Sequence, residues 1–191
     1  DGEQMAPIFK SMSGDSIIVF KNIAFINGKA NTGGAITSNA VLTIDNCLFE
    51  DNYATGYNGG AIYQQSNDFK VTNSIFRNNS VNSYGGSIFA SSMQNAQLMN
   101  CVFENSIARS TYCSGAGAYI DAYNSTIIKN NRFVNISTSG NAKDAALYAN
   151  SGYNGNGIIV NNTFINCNNK GQSSAVININ GKRSEERRVG K

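Results

Sequence analysis

A Phe followed two or three residues later by Asn recurs six times along this chain, at intervals of 24 to 31 residues. The six pairs are Phe25–Asn27, Phe49–Asn52, Phe76–Asn79, Phe103–Asn105, Phe133–Asn135 and Phe164–Asn166. A nearly fixed period of this size indicates one supersecondary unit stacked on itself, because a single unit cannot bury its own apolar face. The recurrence therefore predicts a repeat architecture for the whole chain.

A second motif of small residues lies between successive Phe anchors. Its clear copies are Gly33-Gly34-Ala35-Ile36, Gly59-Gly60-Ala61-Ile62 and Gly85-Gly86-Ser87-Ile88, and weaker copies occupy residues 116–119, 144–147 and 173–176. The glycine pair permits positive φ and a close backbone approach at a corner. We expect the last residue of each copy to face inward, namely Ile36, Ile62, Ile88, Tyr119, Leu147 and Val176. Because side chains alternate along a strand, the next residue should face outward, namely Thr37, Tyr63, Phe89, Ile120, Tyr148 and Ile177.

Aligning the six units on their Phe gives further regular slots. The residue five before each Phe is apolar, and the residue three before it is always Asn. The apolar runs are short and rich in β-forming residues, and Gly, Asn and Ser interrupt them every few residues, which favours short strands joined by turns. If the units stack in parallel, with neighbouring strands about 4.8 Å apart, residues at the same position relative to Phe, here called a slot, lie next to one another. This contact between equal slots would explain why the residue type in a slot stays the same. The sequence thus predicts an all-β, parallel β-helix of about six rungs of 24–31 residues. We expect it to be right-handed, because crossover connections between parallel strands are generally right-handed.

Composition limits the partners that this body can have. The last nine residues, 183–191 (RSEERRVGK), carry six charges outside the repeat pattern, and we interpret them as a non-native or disordered tail. We expect residues 1–182, which have 11 basic and 10 acidic residues, to form one β-helix domain that is a fragment of a longer repeat protein. No basic patch supports a nucleic-acid partner, and no stretch approaches the roughly 18 apolar residues of a membrane helix.

The Gly-Gly-Ala-Ile and Phe-x-x-Asn motifs alternate along residues 17–180, and together they resemble the repeats of chlamydial polymorphic membrane proteins. Similar repeats occur in adhesin-like surface proteins of other microbes. The resemblance implies a right-handed β-helix displayed outside the cell or at its surface, associated with the outer membrane if the source is bacterial. It implies a role in adhesion to a surface protein or glycan of a host or neighbouring cell, without a cofactor.

Catalysis is the alternative, because many β-helices act on polysaccharides. Hydrolases of this shape need two or three carboxylates on adjacent rungs, yet the most closely spaced ones here, Asp45, Glu50 and Asp51, fall in different slots. Glu50, Arg77 and Glu104 share one slot on successive rungs and predict a ladder of alternating charge. The chain has no His, hence no imidazole base. We expect no catalytic residue and no catalysis by this chain alone, with a pectate-lyase-like enzyme fragment as the alternative.

The outward aromatic residues Tyr63, Phe89 and Tyr148 are the candidate binding residues. Such side chains offer apolar contact area to a glycan or a protein. The alternative is that they cover the exterior of the solenoid or pack beneath a loop.

The cysteines indicate structure and not chemistry. Cys47 and Cys101 share one inward slot two rungs apart, which is about 9.6 Å and beyond the roughly 7 Å between Cα atoms that a disulfide allows. We expect both to be small buried side chains. The chain has no pair of cysteines at Cys-x-x-Cys spacing, so the sequence predicts no metal site.

Overall fold

A computed structural model describes residues 6–110, 113–139, 144–152, 155–169 and 175–180. These residues form a parallel β-solenoid of about six turns, which confirms the predicted fold class. The described part of the chain contains no helix, and so none that could cross a membrane. Right-handed winding stays a prediction, and the tail 183–191 lies outside the described residues.

Every strand pairs in parallel with its counterpart one rung away, and the strands form three sheets. The broad sheet has eleven strands: β1 (Phe9–Ser11), β2 (Ile17–Lys21), β5 (Ile36–Ser38), β6 (Val41–Asp45), β9 (Ile62–Gln65), β10 (Phe69–Thr72), β13 (Ile88–Met99), β16 (Ala118–Lys129), β19 (Asp144–Asn150), β20 (Asn156–Val160) and β23 (Ala175–Asn180). The phenylalanine sheet has six: β3 (Ala24–Ile26), β7 (Leu48–Glu50), β11 (Ile75–Arg77), β14 (Val102–Glu104), β17 (Arg132–Val134) and β21 (Thr163–Ile165). The short sheet also has six: β4 (Lys29–Ala30), β8 (Tyr53–Ala54), β12 (Ser80–Val81), β15 (Ile107–Ala108), β18 (Ser137–Thr138) and β22 (Asn168–Asn169).

The six anchor phenylalanines form one continuous stack inside the solenoid. Neighbouring ring centroids lie 4.7 to 4.9 Å apart with interplanar angles of 3° to 9°. The residues five before each anchor pack beside the rings, and Ile44, Val71, Leu98 and Ile128 among them are almost fully buried. At the first rung Phe20 contacts Phe25 edge-to-face instead, at 5.2 Å. The predicted aromatic core is therefore confirmed.

The Asn three residues before each anchor makes the corner that leads into the phenylalanine sheet. All six, Asn22, Asn46, Asn73, Asn100, Asn130 and Asn161, adopt positive φ between 52° and 57°. Asn enters this left-handed region at lower cost than other residues that carry a Cβ, which explains why the slot never varies. Their side chains face solvent, and three of the amides donate to the Asn of the preceding rung, as Asn100 Nδ2 does to Asn73 Oδ1 at 3.2 Å.

The Asn that follows each Phe belongs to two different slots. Asn27 and its equivalents two residues after Phe have positive φ and are exposed. Asn52 and Asn79, three residues after Phe, are fully buried, because Asp51 and Asn78 take the left-handed position in their rungs. Treating the six Phe–Asn pairs as copies of one motif was therefore wrong in detail, although the period it gave is right.

The buried Asn side chains satisfy backbone groups at the corner. Asn52 Nδ2 donates to the carbonyl of Phe25 at 3.0 Å, and Asn52 Oδ1 accepts from the backbone N–H of Gly28 at 2.9 Å. Asn79 repeats the pattern one rung on, since its Oδ1 accepts from the N–H of Asn52 at 3.0 Å. Each such amide replaces a strand hydrogen bond that the bend removes.

The fourth copy of the small-residue motif begins one residue earlier than the sequence suggested. Gly115 has φ +61°, matching Gly33, Gly59 and Gly85, and β16 pairs so that Ala118 lies beside Ile88. Tyr119 is therefore outward and Ile120 inward and 1 % exposed, the reverse of the prediction. Small residues alone could not fix this register, because Gly115 and Ala116 both satisfy the motif.

The sixth copy is also displaced by one residue. Ile177, and not Val176, lies beside Leu147 in the inward slot, because the pairing of β19 with β23 contains a register shift between Asp144 and Leu147. The assignment of Val176 as inward and Ile177 as outward was therefore wrong. A β-bulge of this kind adds one residue to a strand without a sequence signal of its own.

The cysteines behave as small core side chains. Cys47, Cys101 and Cys113 are buried, and no disulfide joins Cys47 to Cys101, as expected for these two. Burial raises the pKa of Cys101 to about 12, so this thiol stays protonated and inert near neutral pH.

Replacing an anchor phenylalanine should destabilise the fold strongly. Phe76→Ala should lower the free energy of unfolding by roughly 3–5 kcal/mol, because Phe76 is fully buried between two stacked rings. Phe89→Ala, on the outer face of the broad sheet, should cost less, because a site near the surface can close over the gap. Urea unfolding of both variants measures the difference, and equal losses would show that the outer face is packed as tightly as the core.

Candidate binding surface

Four aromatic rings stack on the outside of the broad sheet, one from each of four successive rungs. Their order is Tyr63, Phe89, Tyr119 and Tyr148, with centroid distances of 5.5, 4.8 and 4.3 Å and interplanar angles of 5°, 19° and 8°. The structure thus brings together all three predicted binding residues and adds Tyr119 between two of them. The sequence analysis missed Tyr119 through the one-residue slip in its rung, because Gly115 and Ala116 both satisfy the motif and only the strand pairing separates the two registers.

Strand register creates this outer stack. Tyr63, Phe89, Tyr119 and Tyr148 are direct cross-strand partners on β9, β13, β16 and β19. Their neighbours in sequence, such as Ile62 and Ile88, point into the core and fix the opposite direction for the rings. A regular spacing near 4.8 Å then favours stacked contact between planar side chains in the same position of successive rungs.

The stack is half-buried, and it exposes ring edges more than ring faces. Phe89 is only 8 % exposed because the rings on both sides cover it, while the three tyrosines are partly exposed. Tyr84, on the preceding corner, packs edge-to-face against Tyr119 at 5.9 Å. The ring faces are therefore engaged with one another, and solvent meets the edges.

A polar row runs beside the stack, two residues further along each strand. It includes Gln65 and Ser91, which pair across β9 and β13, and Asp121 and Asn150, which pair across β16 and β19. Asn150 Nδ2 donates to Asp121 Oδ1 at 2.8 Å. The face thus combines aromatic edges with amide, hydroxyl and carboxylate groups, a mixture suited to polar contacts around an apolar centre.

The environment of the stack perturbs the phenol of Tyr119. Burial raises its pKa well above the ordinary value, and the neighbouring phenol of Tyr148 and carboxylate of Asp121 raise it further. Burial also raises the pKa of Tyr63. Both phenols therefore act as neutral hydrogen-bonding groups at physiological pH.

The carboxylates considered for catalysis lie in separate local networks. Asp45 accepts from Thr72 Oγ1 and from Asn73 Nδ2, both at 2.8 Å, and these hydrogen bonds lower its pKa. Glu50 binds Arg77 through two contacts of 2.6 and 2.9 Å, which raise the pKa of the guanidinium. Asp45 ends a strand of the broad sheet, whereas Glu50 belongs to the phenylalanine sheet.

The predicted ladder of alternating charge is present on the phenylalanine sheet. Arg77 pairs in register with Glu50 on one side and with Glu104 on the other, and Arg132 approaches Glu104 at 3.9 Å. Within the described ranges, no three His, Cys, Asp or Glu side chains gather as metal ligands would. These charges are arranged to neutralise one another along the axis.

Comparison of the chain with protein-family models, curated proteins and solved structures finds no match. By its fold and outer surface, the molecule is a parallel β-solenoid with an external aromatic stack.

Removing the Tyr119 hydroxyl should change how stability depends on pH. The pKa of Tyr119 is higher in the folded protein than in the unfolded chain, where it is about 10. The contribution of the neutral phenol to folding stability is therefore fully present below about pH 10. That contribution is lost as the pH rises through the pKa of the folded state. Tyr119→Phe should therefore lose less stability than the unaltered protein between neutral pH and the alkaline range. Urea midpoints across this range test the effect, with Tyr57→Phe, at a tyrosine 65 % exposed, as the control. An unchanged alkaline slope in Tyr119→Phe would contradict the assignment.

Proposed function

We propose that this chain is a rigid display module of a cell-surface or secreted adhesin-like protein. It binds a surface protein of a host or neighbouring cell through the outer aromatic stack, and it performs no catalysis by itself. The observation that carries the proposal is the line of four stacked rings on one face of the solenoid. The resemblance of the repeat words to those of chlamydial polymorphic membrane proteins supports a location outside the cell.

The geometry of the rings favours a protein over a glycan on this face. A sugar packs its C–H groups against an open aromatic face, but Phe89 and Tyr119 each have neighbouring rings on both faces. Ring edges and phenol hydroxyls instead suit protein interfaces, where tyrosines supply rigid contact area at low entropic cost. The end rings Tyr63 and Tyr148 also have cross-strand neighbours on their other sides, Thr37 and Asn178.

The alternative function is a carbohydrate-active, pectate-lyase-like enzyme fragment. This alternative has little support, because the carboxylates do not share one site. Asp45 bonds to Thr72 and Asn73, and Glu50 bonds to Arg77. Incubation with acidic and neutral polysaccharides, followed by assay of new chain ends, should detect no cleavage. Cleavage by the purified chain would overturn the proposal in favour of the enzyme.

Binding to intact cells tests the adhesive role directly. The purified protein should bind candidate host or neighbouring cells in flow cytometry, and protease treatment of the cells should abolish binding more than glycosidase treatment. Tyr148→Ala should weaken binding by about tenfold or more, as for an interface anchor worth about 1.4 kcal/mol.

The matched control is Tyr57→Ala, which removes a tyrosine 65 % exposed outside the stack. It should bind as the unaltered protein does, and melting curves should show that both variants are folded. Equal binding by the two variants, or no binding to any cell, would contradict the proposal. Loss of binding after glycosidase treatment alone would assign the partner to a glycan.

A further inference from the structure

An open groove of about 340 Å³ runs along the solenoid beside the phenylalanine sheet, away from the aromatic stack. Three successive rungs line it in the same way. One wall consists of the corner residues Asn22, Asn46 and Asn73, and the floor consists of the first residues of β3, β7 and β11, which are Ala24, Leu48 and Ile75. The groove therefore offers the same pair of groups once per rung, at steps of about 4.8 Å.

The floor of the groove is apolar and accessible. Each floor residue precedes a buried anchor phenylalanine, so alternation along the strand turns it outward. Ile75 is 42 % exposed, Ala24 is also exposed, and Leu48 is half-buried. Exposed apolar side chains in a continuous row mark a surface that gains free energy when a ligand covers it.

The wall of the groove carries unused hydrogen-bonding groups. Asn46 Nδ2 donates to Asn22 Oδ1 at 2.7 Å, whereas Asn73 Nδ2 turns away to donate to Asp45 Oδ1 at 2.8 Å. The side-chain oxygen Oδ1 of Asn46 therefore accepts no hydrogen bond from the Asn73 amide in the next rung. A side-chain amide has two donor hydrogens and an oxygen with two lone pairs, so each exposed amide keeps capacity for a ligand.

We infer that this groove binds a neutral polysaccharide chain lying along the solenoid axis. A sugar ring presents C–H faces, which fit the apolar floor, and hydroxyl edges, which can both donate to and accept from the Asn amides. The six residues that define wall and floor are uncharged, so they offer an acidic polysaccharide no ion pair. A repeating ligand also matches a site whose groups repeat from rung to rung.

The size of the groove argues for a chain ligand and against a folded protein. Its length covers two steps between rungs, or about 10 Å, while a stable protein interface buries about 800 Å² on each partner. A volume of about 340 Å³ falls instead within the usual range for small-ligand sites. The inference depends on the groove alone and stands independently of the partner proposed for the aromatic stack.

Calorimetric titration with neutral β-linked gluco- and xylo-oligosaccharides of increasing length tests this site. Affinity should rise with length until the oligomer spans the three rungs and then level off, and oligogalacturonates should bind more weakly. Asn73→Gly removes one wall amide but keeps the left-handed backbone, since φ is 52°. It should weaken binding roughly two- to tenfold, the range for one hydrogen bond. Ile75→Lys, which places a charge on the floor, should weaken it at least as much.

Asn105→Gly is the matched control, because Asn105 has φ 54° and belongs to an amide ladder at the opposite corner of the same sheet. It should leave oligosaccharide binding unchanged. Melting curves should show all variants folded. The inference is overturned if no neutral oligosaccharide binds, if oligogalacturonates bind better, or if Asn73→Gly and Asn105→Gly weaken binding equally.

Discussion

Hydrogen bonding between equal slots of successive rungs is the constraint on which the rest of this solenoid depends. β10, for example, pairs residue by residue with β6 on one side and β13 on the other. Each side chain therefore meets the side chain of the same slot about 4.8 Å away. Residues that pack well against their own kind fill most of these slots, as stacked Phe rings inside, exposed Asn amides at corners and a line of aromatic rings outside. One slot alternates opposite charges instead, with Arg77 between Glu50 and Glu104.

Corners are the costly part of this fold, since a bend removes strand hydrogen bonds from backbone groups that stay buried. Buried Asn side chains form hydrogen bonds with these backbone groups inside the solenoid. Asn131 donates to the carbonyl of Leu98 at 2.8 Å, and its own N–H donates to Asn162 Oδ1 at 3.0 Å, as Asn52 and Asn79 do at another corner. Among the described residues, Asn39 Oδ1 and Gln64 Oε1 are the buried side-chain atoms without a partner. The abundance of Asn thus follows from folding and not from chemistry.

Binding must then use the side-chain groups that folding leaves exposed. The two outer surfaces differ in what they present, although the same repeat builds both. On the broad sheet the rings cover one another's faces and expose edges beside a polar row, whereas the groove presents an open apolar floor and unused amides. The first arrangement favours a protein surface and the second a polyhydroxylated chain. A rigid scaffold that displays both would place two kinds of contact at fixed separation.

The sequence by itself determined the solenoid, its period and its aromatic core, because slots that stack must repeat in the chain. It also placed Tyr63, Phe89 and Tyr148 on the outer face correctly. Tertiary structure alone decided the register of the fourth and sixth rungs. In the fourth, the motif begins at Gly115 and not at Ala116, which turns Tyr119 outward. In the sixth, a bulge in β19 turns Ile177 inward. It alone separated the exposed Asn27 from the buried Asn52 and formed the groove. These features depend on which strand lies beside which, and a one-residue slip reverses every side chain.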